Sequence, residues 1–387
     1  MKIKWMKLII SCCIGLLLIG LLISNNPAIA KEPYKVGVLG SFTGPYGVLL
    51  SDDRDGAILA GEEINKAGGI SGHLLELIVM DDRGEATIAA TAARKSIQQD
   101  KVVAIWMSGG SASNAAVVPI TDKARIPQIS ELPTPEEFSK RPEKAPWNFV
   151  VHLSKKSQGE RLTAYCKKKG YKNLVLLYDI SRSMTDNKDN FVNALPSEIK
   201  VLAIEGYKSA DTDMTAQLIT LKGKNADALV IHGSGMGGAI AIKNAKQIGL
   251  TIPILGISEL LGKERVACGG ADEGVVAVGP RSLVFDTLPA GDPYTKIVQQ
   301  FRDKWKARWG RDLGLFSPIG YDRMMLLSLA LKKAGPEPSA LRKALEQTDY
   351  KGVFGPIKYS PTKHEAPGME AVVIMTIKDG KLVFLEE

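Results

Sequence analysis

Cysteine, histidine and aromatic residues are scarce in this 387-residue chain, and each scarcity excludes a class of protein. Four Cys are too few to staple a chain of this length with disulfides. The four His (His73, His152, His232 and His364) lie far apart, without H-x-x-x-H or C-x-x-C spacing, so no metal site is expected. Aromatics make up 6% of residues and none interleave with a basic stripe, so the formal charge of +8 does not argue for nucleic acid. Lys167–Lys169 reads as a solvated helix end, and Trp305 and Trp309, spaced i, i+4, read as packing. Beyond Ile23 no apolar run is long enough to span a bilayer. What is present is a globular composition: 45% hydrophobic, 24% charged, 38 Gly and 20 Pro. At roughly 100–200 residues per domain, the length predicts two lobes or one large α/β unit.

The N-terminus carries Lys2, Lys4 and Lys7, an apolar run Leu8–Ile23, a breaker at Pro27 and the sequence Ala28-Ile29-Ala30. A basic start, a short apolar core and an A-x-A site make a secretory signal peptide cleaved after Ala30. A membrane anchor is the bland reading, but sixteen residues fall short of the ~20 needed to span. A lipoprotein signal at Cys12 has almost no apolar segment before it. Cleavage removes three lysines and no acids, so the charge falls to +5, and it removes Cys12 and Cys13. Cys166 and Cys268 then remain in an oxidising compartment, where they either pair or stay as two buried thiols.

From residue 31 the chain repeats a short apolar strand, a small-residue turn and an amphipathic helix. Strands at 34–39, 74–80, 102–107 and 127–130 alternate with helices at 53–67, 87–99 and 112–124. The pattern restarts near Asn148 with strands at 173–178, 201–206, 228–232, 252–256 and 274–278 between further helices. Three late helices (293–309, 320–334 and 339–347) and a hairpin, 371–377 to 382–385, remain over. Apolar strands separated by helices indicate parallel sheets covered on both faces. Two doubly wound α/β lobes follow, with the late helices implying that the chain crosses between them repeatedly. Ligands of such sheets bind at the carboxyl ends of strands, so two facing edges make a cleft.

Two turns carry candidate chemistry. Gly233-Ser234-Gly235-Met236-Gly237-Gly238 satisfies G-x-G-x-x-G between a strand and a helix, with Glu259 further on, as a dinucleotide site requires. It follows the third strand of its lobe rather than the first, and an exported chain has little use for a soluble nicotinamide, so a small-residue turn facing the cleft is preferred. Ser108-Gly109-Gly110-Ser111-Ala112-Ser113-Asn114 sits at another strand-to-helix turn, where backbone N–H groups and hydroxyls suit a carboxylate. A simple N-cap is the competing reading. A nucleophile elbow is not, because Ser113 stands where the second glycine of G-x-S-x-G belongs.

The blocks Gly37-Val38-Leu39, Thr43-Gly44-Pro45, Gly56-Ala57, Glu63-Ile64-Asn65 and Gly68-Gly69-Ile70-Ser71-Gly72 are similar to the opening of the periplasmic branched-chain amino-acid-binding family. Asp81-Asp82, Pro119-Ile120, Ile126-Pro127, Gly320-Tyr321-Asp322 and Asp379-Gly380-Lys381 extend the likeness over residues 34–385. The resemblance implies the type I periplasmic binding protein fold, two lobes joined by three crossovers. The segments then divide as 1–30 signal peptide, 31–149 first lobe, 150–281 second lobe, 282–352 first lobe and 353–387 second lobe. It also implies that a ligand carboxylate is held by Gly110 and Ser111, with Ser113 nearby, and by the Leu132 backbone and Thr134. The first-loop positions fall at Leu49 and Tyr46. The family's aromatic positions in the second lobe fall at Ser183 and at Ser234 or Gly235, smaller residues that leave more room and erode the aromatic cage around an α-ammonium. Arg182 offers a cation there, and Glu259 an acid to pair an ammonium.

The function so implied is a non-enzymatic, cofactor-free solute-binding component of an ABC transporter. It acts as a periplasmic monomer that captures a branched-chain or related amino acid and delivers it to an inner-membrane permease. An aromatic or organic acid, a small amide, and a ligand-sensing role are the alternatives.

Overall fold

The computed structural model describes residues 31–44, 47–131 and 144–386, with the backbone alone at 48 and 49. Strands β1 (Lys31–Gly40), β2 (His73–Asp81), β3 (Ala104–Ser108), β4 (Gln128–Ser130) and β5 (Asn148–Val151) pair in parallel in the order β5-β4-β3-β1-β2. β3, β4 and β5 are buried along their whole length, as strands covered on both faces must be. Helices α1 (Gly47–Lys66), α2 (Ala86–Lys95, continued by a π turn at Ser96–Asp100) and α3 (Ser111–Ala124) run back between them.

The second sheet is built the same way. Helix α4 (Lys155–Lys169) precedes β6 (Asn173–Asp179), and α5 (Arg182–Ala194) leads to β7 (Lys200–Tyr207). Helix α6 (Thr215–Lys222) leads to β8 (Ala228–His232), and α7 (Gly235–Gln247) to β9 (Ile254–Ile257). β10 (Val276–Pro280) follows two 3₁₀ turns at Ser258–Leu261 and Lys263–Cys268.

The chain then returns to the first lobe through α8 (Thr295–Trp309), α9 (Ser317–Ala334), α10 (Pro338–Glu346) and the small antiparallel pair β11 (Asp349–Lys351) and β12 (Pro356–Lys358). Helix α9 crosses α1 so closely that a Cβ on Gly320 would run into the Asp53 carbonyl, and one on Gly56 into that of Ser317. The sequence blocks around Gly56 and Gly320 therefore serve one helix crossing. Tyr321 Oη adds a 2.8 Å bond to Glu63, and Asp322 accepts the Val353 and Phe354 N–H groups at 2.9 and 2.7 Å.

One boundary differs from the sequence expectation. Residues from 353 on do not pass directly to the second lobe, because β13 (Glu365–Ala366) first pairs with β5 and completes the first sheet. Val150 N and His152 N donate to His364 O and Ala366 O at 2.7 and 3.0 Å, which satisfies the edge that β5 would otherwise expose. The return crossover lies after β13. It leads to β14 (Val372–Lys378), antiparallel to β10, and β15 (Lys381–Glu386).

Cys166 and Cys268 are both buried thiols and do not pair. Burial pushes them up to about 12 and about 11 respectively, which keeps them protonated and inert. Among the described residues, no helix is long and apolar enough to cross a membrane, and no cluster of ligating side chains could hold a metal.

Candidate ligand cleft

The carboxyl edges of the two sheets face each other. Asp52, in the first half of α1, meets Lys263, in the second 3₁₀ turn after β9, with Nζ to Oδ2 at 2.7 Å. His152, in the first crossover, lies in the electric fields of Arg323 of the first lobe and Lys155 of the second.

The first-lobe wall is rigidly seated. Asp81, at the end of β2, accepts Phe42 N at 2.9 Å and the Thr43 hydroxyl at 2.5 Å, which pins the loop after β1. These bonds outweigh partial burial and hold its carboxyl below the usual range. Beyond β3, Gly110 is the N-cap of α3, with no side-chain cap bond. The leading N–H groups of a helix have no intrahelical partner, and those of Ser111, Ala112 and Ser113 lead here. Ser111 is partly exposed, whereas Ser113 is buried and its Oγ has no hydrogen-bond partner. Asn114 Nδ2 turns back to Gly109 O at 2.6 Å and closes the turn from within. This is a helix N-terminus with unengaged donors and a positive dipole end, as a carboxylate requires. Gly110, Ser111 and Ser113, the residues expected to meet a ligand carboxylate, lie together at this helix start.

Beneath that wall lies a fully buried ionic floor that sequence reading missed. Arg323 of α9 pairs with Asp53 of α1, donates to Met107 O at 2.5 Å and stacks 3.8 Å over the Trp106 ring. Glu131, just past β4, is fully buried and neither carboxyl oxygen has a hydrogen-bond partner. Burial holds it well above the usual carboxylate range, the Asp53 and Asp82 charges add to this, and Arg323 opposes it. Spacing carries no signal for this cluster, since its members come from four separate elements.

The second-lobe wall rearranges the expected residues. Helix α5 begins at Arg182, where Asp179 Oδ1 accepts Ser181 N at 2.7 Å and sets the entry turn. Arg182 is exposed and pairs with Asp186 at 3.3 Å, so the cation expected from it does not reach inward. The inward cation is Lys155, the first residue of α4, whose Nζ lies 3.3 Å from Ser183 O and 3.4 Å from Asp186. Glu259 does sit at this edge, in the turn after β9, and accepts the Ser258 hydroxyl at 3.1 Å. Burial raises its pKa, and the Lys155 charge is among the effects that oppose this.

Ser234 and Gly235 begin α7 at the same edge. The glycine pattern there is explained by packing: a Cβ on Gly233 would strike the Tyr207 hydroxyl, and one on Gly238 would meet Leu260 Cδ1 at 2.9 Å. Tyr207 therefore covers the turn that a pyrophosphate would need, and the glycines admit its ring. Leu49 lies on α1, its side chain outside the described residues, as are Tyr46, Leu132, Thr134 and the whole of residues 1–30.

Comparison with known proteins returns the family suggested by the opening block. Residues 33–381 match the family described as periplasmic binding protein. A leucine-, isoleucine-, valine-, threonine- and alanine-binding protein of Pseudomonas aeruginosa is 25% identical over 336 residues, covering 85% of this chain and 86% of that protein. A branched-chain amino acid transporter substrate-binding protein from Streptococcus pneumoniae, solved with isoleucine, superposes with a TM-score of 0.78 at 23% identity. That match covers 92% of this chain and all of the other. An ABC-transporter solute-binding protein of Rhodopseudomonas palustris, solved with benzoate, gives a TM-score of 0.76 at 21% identity, covering 92% and 96% of the two chains. Two doubly wound lobes around a cleft, and a match along nearly the whole length, lead to one conclusion: the chain belongs to the periplasmic binding protein family and has its type I fold.

Proposed function

We propose that this chain is the solute-binding component of an ABC transporter, exported by residues 1–30 and cleaved after Ala30. It captures a small carboxylate-bearing solute, a branched-chain amino acid or a related acid, and presents it to an inner-membrane permease as a monomer. The observation that carries this reading is the N-terminus of α3. Gly110, Ser111 and Ser113 form a helix start at the edge of one lobe, with the buried Ser113 hydroxyl unpartnered, and Asp52 of that lobe meets Lys263 of the other. A solute that touches both walls binds the closed arrangement more tightly than the open one, and that difference alone drives closure. The relatives named for branched-chain amino acids support the class of solute, and no covalent step is required.

Thermal-shift screening of the chain from Lys31 onward, against amino acids, aromatic acids and amides, tests the reading. A rise in melting temperature with a carboxylate-bearing solute is expected. Ser111→Ala should then weaken binding by about 1–3 kcal/mol, the range of a lost hydrogen bond to a charged group. If no small solute shifts the melting temperature, the transport reading is wrong. If a solute binds and Ser111→Ala leaves its dissociation constant unchanged, the carboxylate lies elsewhere.

A further inference from the structure

The second-lobe wall holds a cation that no sequence motif marks. Lys155 opens α4, and helices of a parallel layer run antiparallel to their strands, so its first turn lies at the same edge as the carboxyl ends of β6, β8 and β9. Its side chain is only 13% exposed, yet its two bonds are long, 3.3 Å to a carbonyl and 3.4 Å to Asp186, a carboxylate it shares with Arg182. An ammonium carries three protons to donate, and a buried one is costly until they are well engaged.

Its surroundings are equally unfinished. His152 is buried beside the crossover with an Nδ1 that has no hydrogen-bond partner. Burial, with the Lys155 and Arg323 charges, pushes it down to about 3, so it is uncharged near neutral pH. Glu259, the acid that the resemblance offers to a ligand ammonium, already lies in the field of Lys155. Ser183, at an aromatic position of the family, supplies only its carbonyl to this group.

We propose that Lys155 receives an oxygen acceptor of the solute, and that the cleft selects small organic acids that lack an α-amine and carry a second oxygen. The carboxylate sits on the α3 N-terminus and the second oxygen, a ketone, carboxylate or phenolic group, on Lys155. An α-ammonium in the same place would stand against the charge of Lys155. This inference rests on the transport reading and narrows its solute class.

Calorimetric titration of the chain from Lys31 onward tests it with two pairs of probes: L-leucine against 4-methyl-2-oxopentanoate, and benzoate against 4-hydroxybenzoate. In at least one pair, the amine-free member bearing the extra oxygen should bind tenfold or more tightly than its counterpart. Lys155→Met should reduce that preference to within threefold, and Lys155→Arg should retain most of it; a purely structural lysine would weaken both members of a pair alike. L-Leucine binding more tightly than its oxo acid, with Lys155→Met leaving every affinity unchanged, overturns the proposal and leaves the transport reading standing. So does binding by other solutes of the thermal-shift panel when all four probes fail. If no solute of any class binds, both readings fall.

Discussion

Lys263 Nζ lies 2.7 Å from Asp52 Oδ2, an ion pair that joins the turn after β9 to α1 across the cleft. Asp52 is also held by Arg311 of its own lobe, so its carboxylate is fixed in place before Lys263 arrives. Lys263 remains half exposed, which limits the pair to about 1 kcal/mol or less. Its contribution should appear only when the lobes are together. Lys263→Ala is expected to weaken solute binding two- to fivefold while leaving the unliganded melting temperature within a degree or so. An unchanged affinity, or a large loss of stability, would show that the pair is not specific to closure.

Two buried carboxyls make a pH prediction. Glu131 and Asp322 both titrate above their ordinary values in the folded chain, Asp322 at about 7, in each case because burial disfavours the charged form. The folded state thus holds protons that the unfolded chain releases near pH 4 to 4.5. Their stabilisation is complete below that range and is lost as pH rises toward the folded values. The urea midpoint should therefore fall between pH 5 and pH 7.5. Glu131→Gln removes one of these protons from the balance, so it should stabilise the protein at pH 8 and not at pH 4.5. The same difference at both pH values would refute the assignment.

Gly320 has no space for a methyl group against the Asp53 carbonyl. Gly320→Ala must separate α9 from α1 or bend one of them, at a cost of about 1–3 kcal/mol. Chemical denaturation would register it as a lower midpoint, and a wild-type midpoint would mean the helices can part freely. Because Asp53 and Arg323 sit at this crossing, solute affinity should fall along with stability.

Cys166 and Cys268 should resist alkylation in the folded protein and react as two free thiols once it is unfolded without reductant. Labelling of fewer than two thiols after unfolding would reveal a disulfide.

The legible parts of this fold were those written in local patterns. Val36, Val38 and Leu39 announce a buried strand, and Gly109-Gly110-Ser111 announces a helix start with donors to spare. The illegible parts depend on distant partners. Lys155 stands beside Lys156 in an ordinary basic helix start, and only the crossover brings it near Glu259 and His152. Arg182 adjoins Ser183 and offers a cation in the sequence, yet the helix that begins at Arg182 carries it to the surface. Gly233–Gly238 fits the spacing of a phosphate turn, although the residue that explains its glycines is Tyr207, at the end of another strand.

The sequence by itself determined the alternation of strand and helix, the two-lobed plan and the placing of small-residue turns at strand ends. Each of these follows from hydrophobic period and backbone preference within a few residues. Tertiary structure alone decided which side chains share the cleft, that β13 completes the first sheet before the last crossover, and that the two thiols stay apart. The physical reason is common to all three. Burial, charge pairing and edge satisfaction are properties of neighbours in space, and in a chain that crosses between lobes those neighbours come from segments hundreds of residues apart.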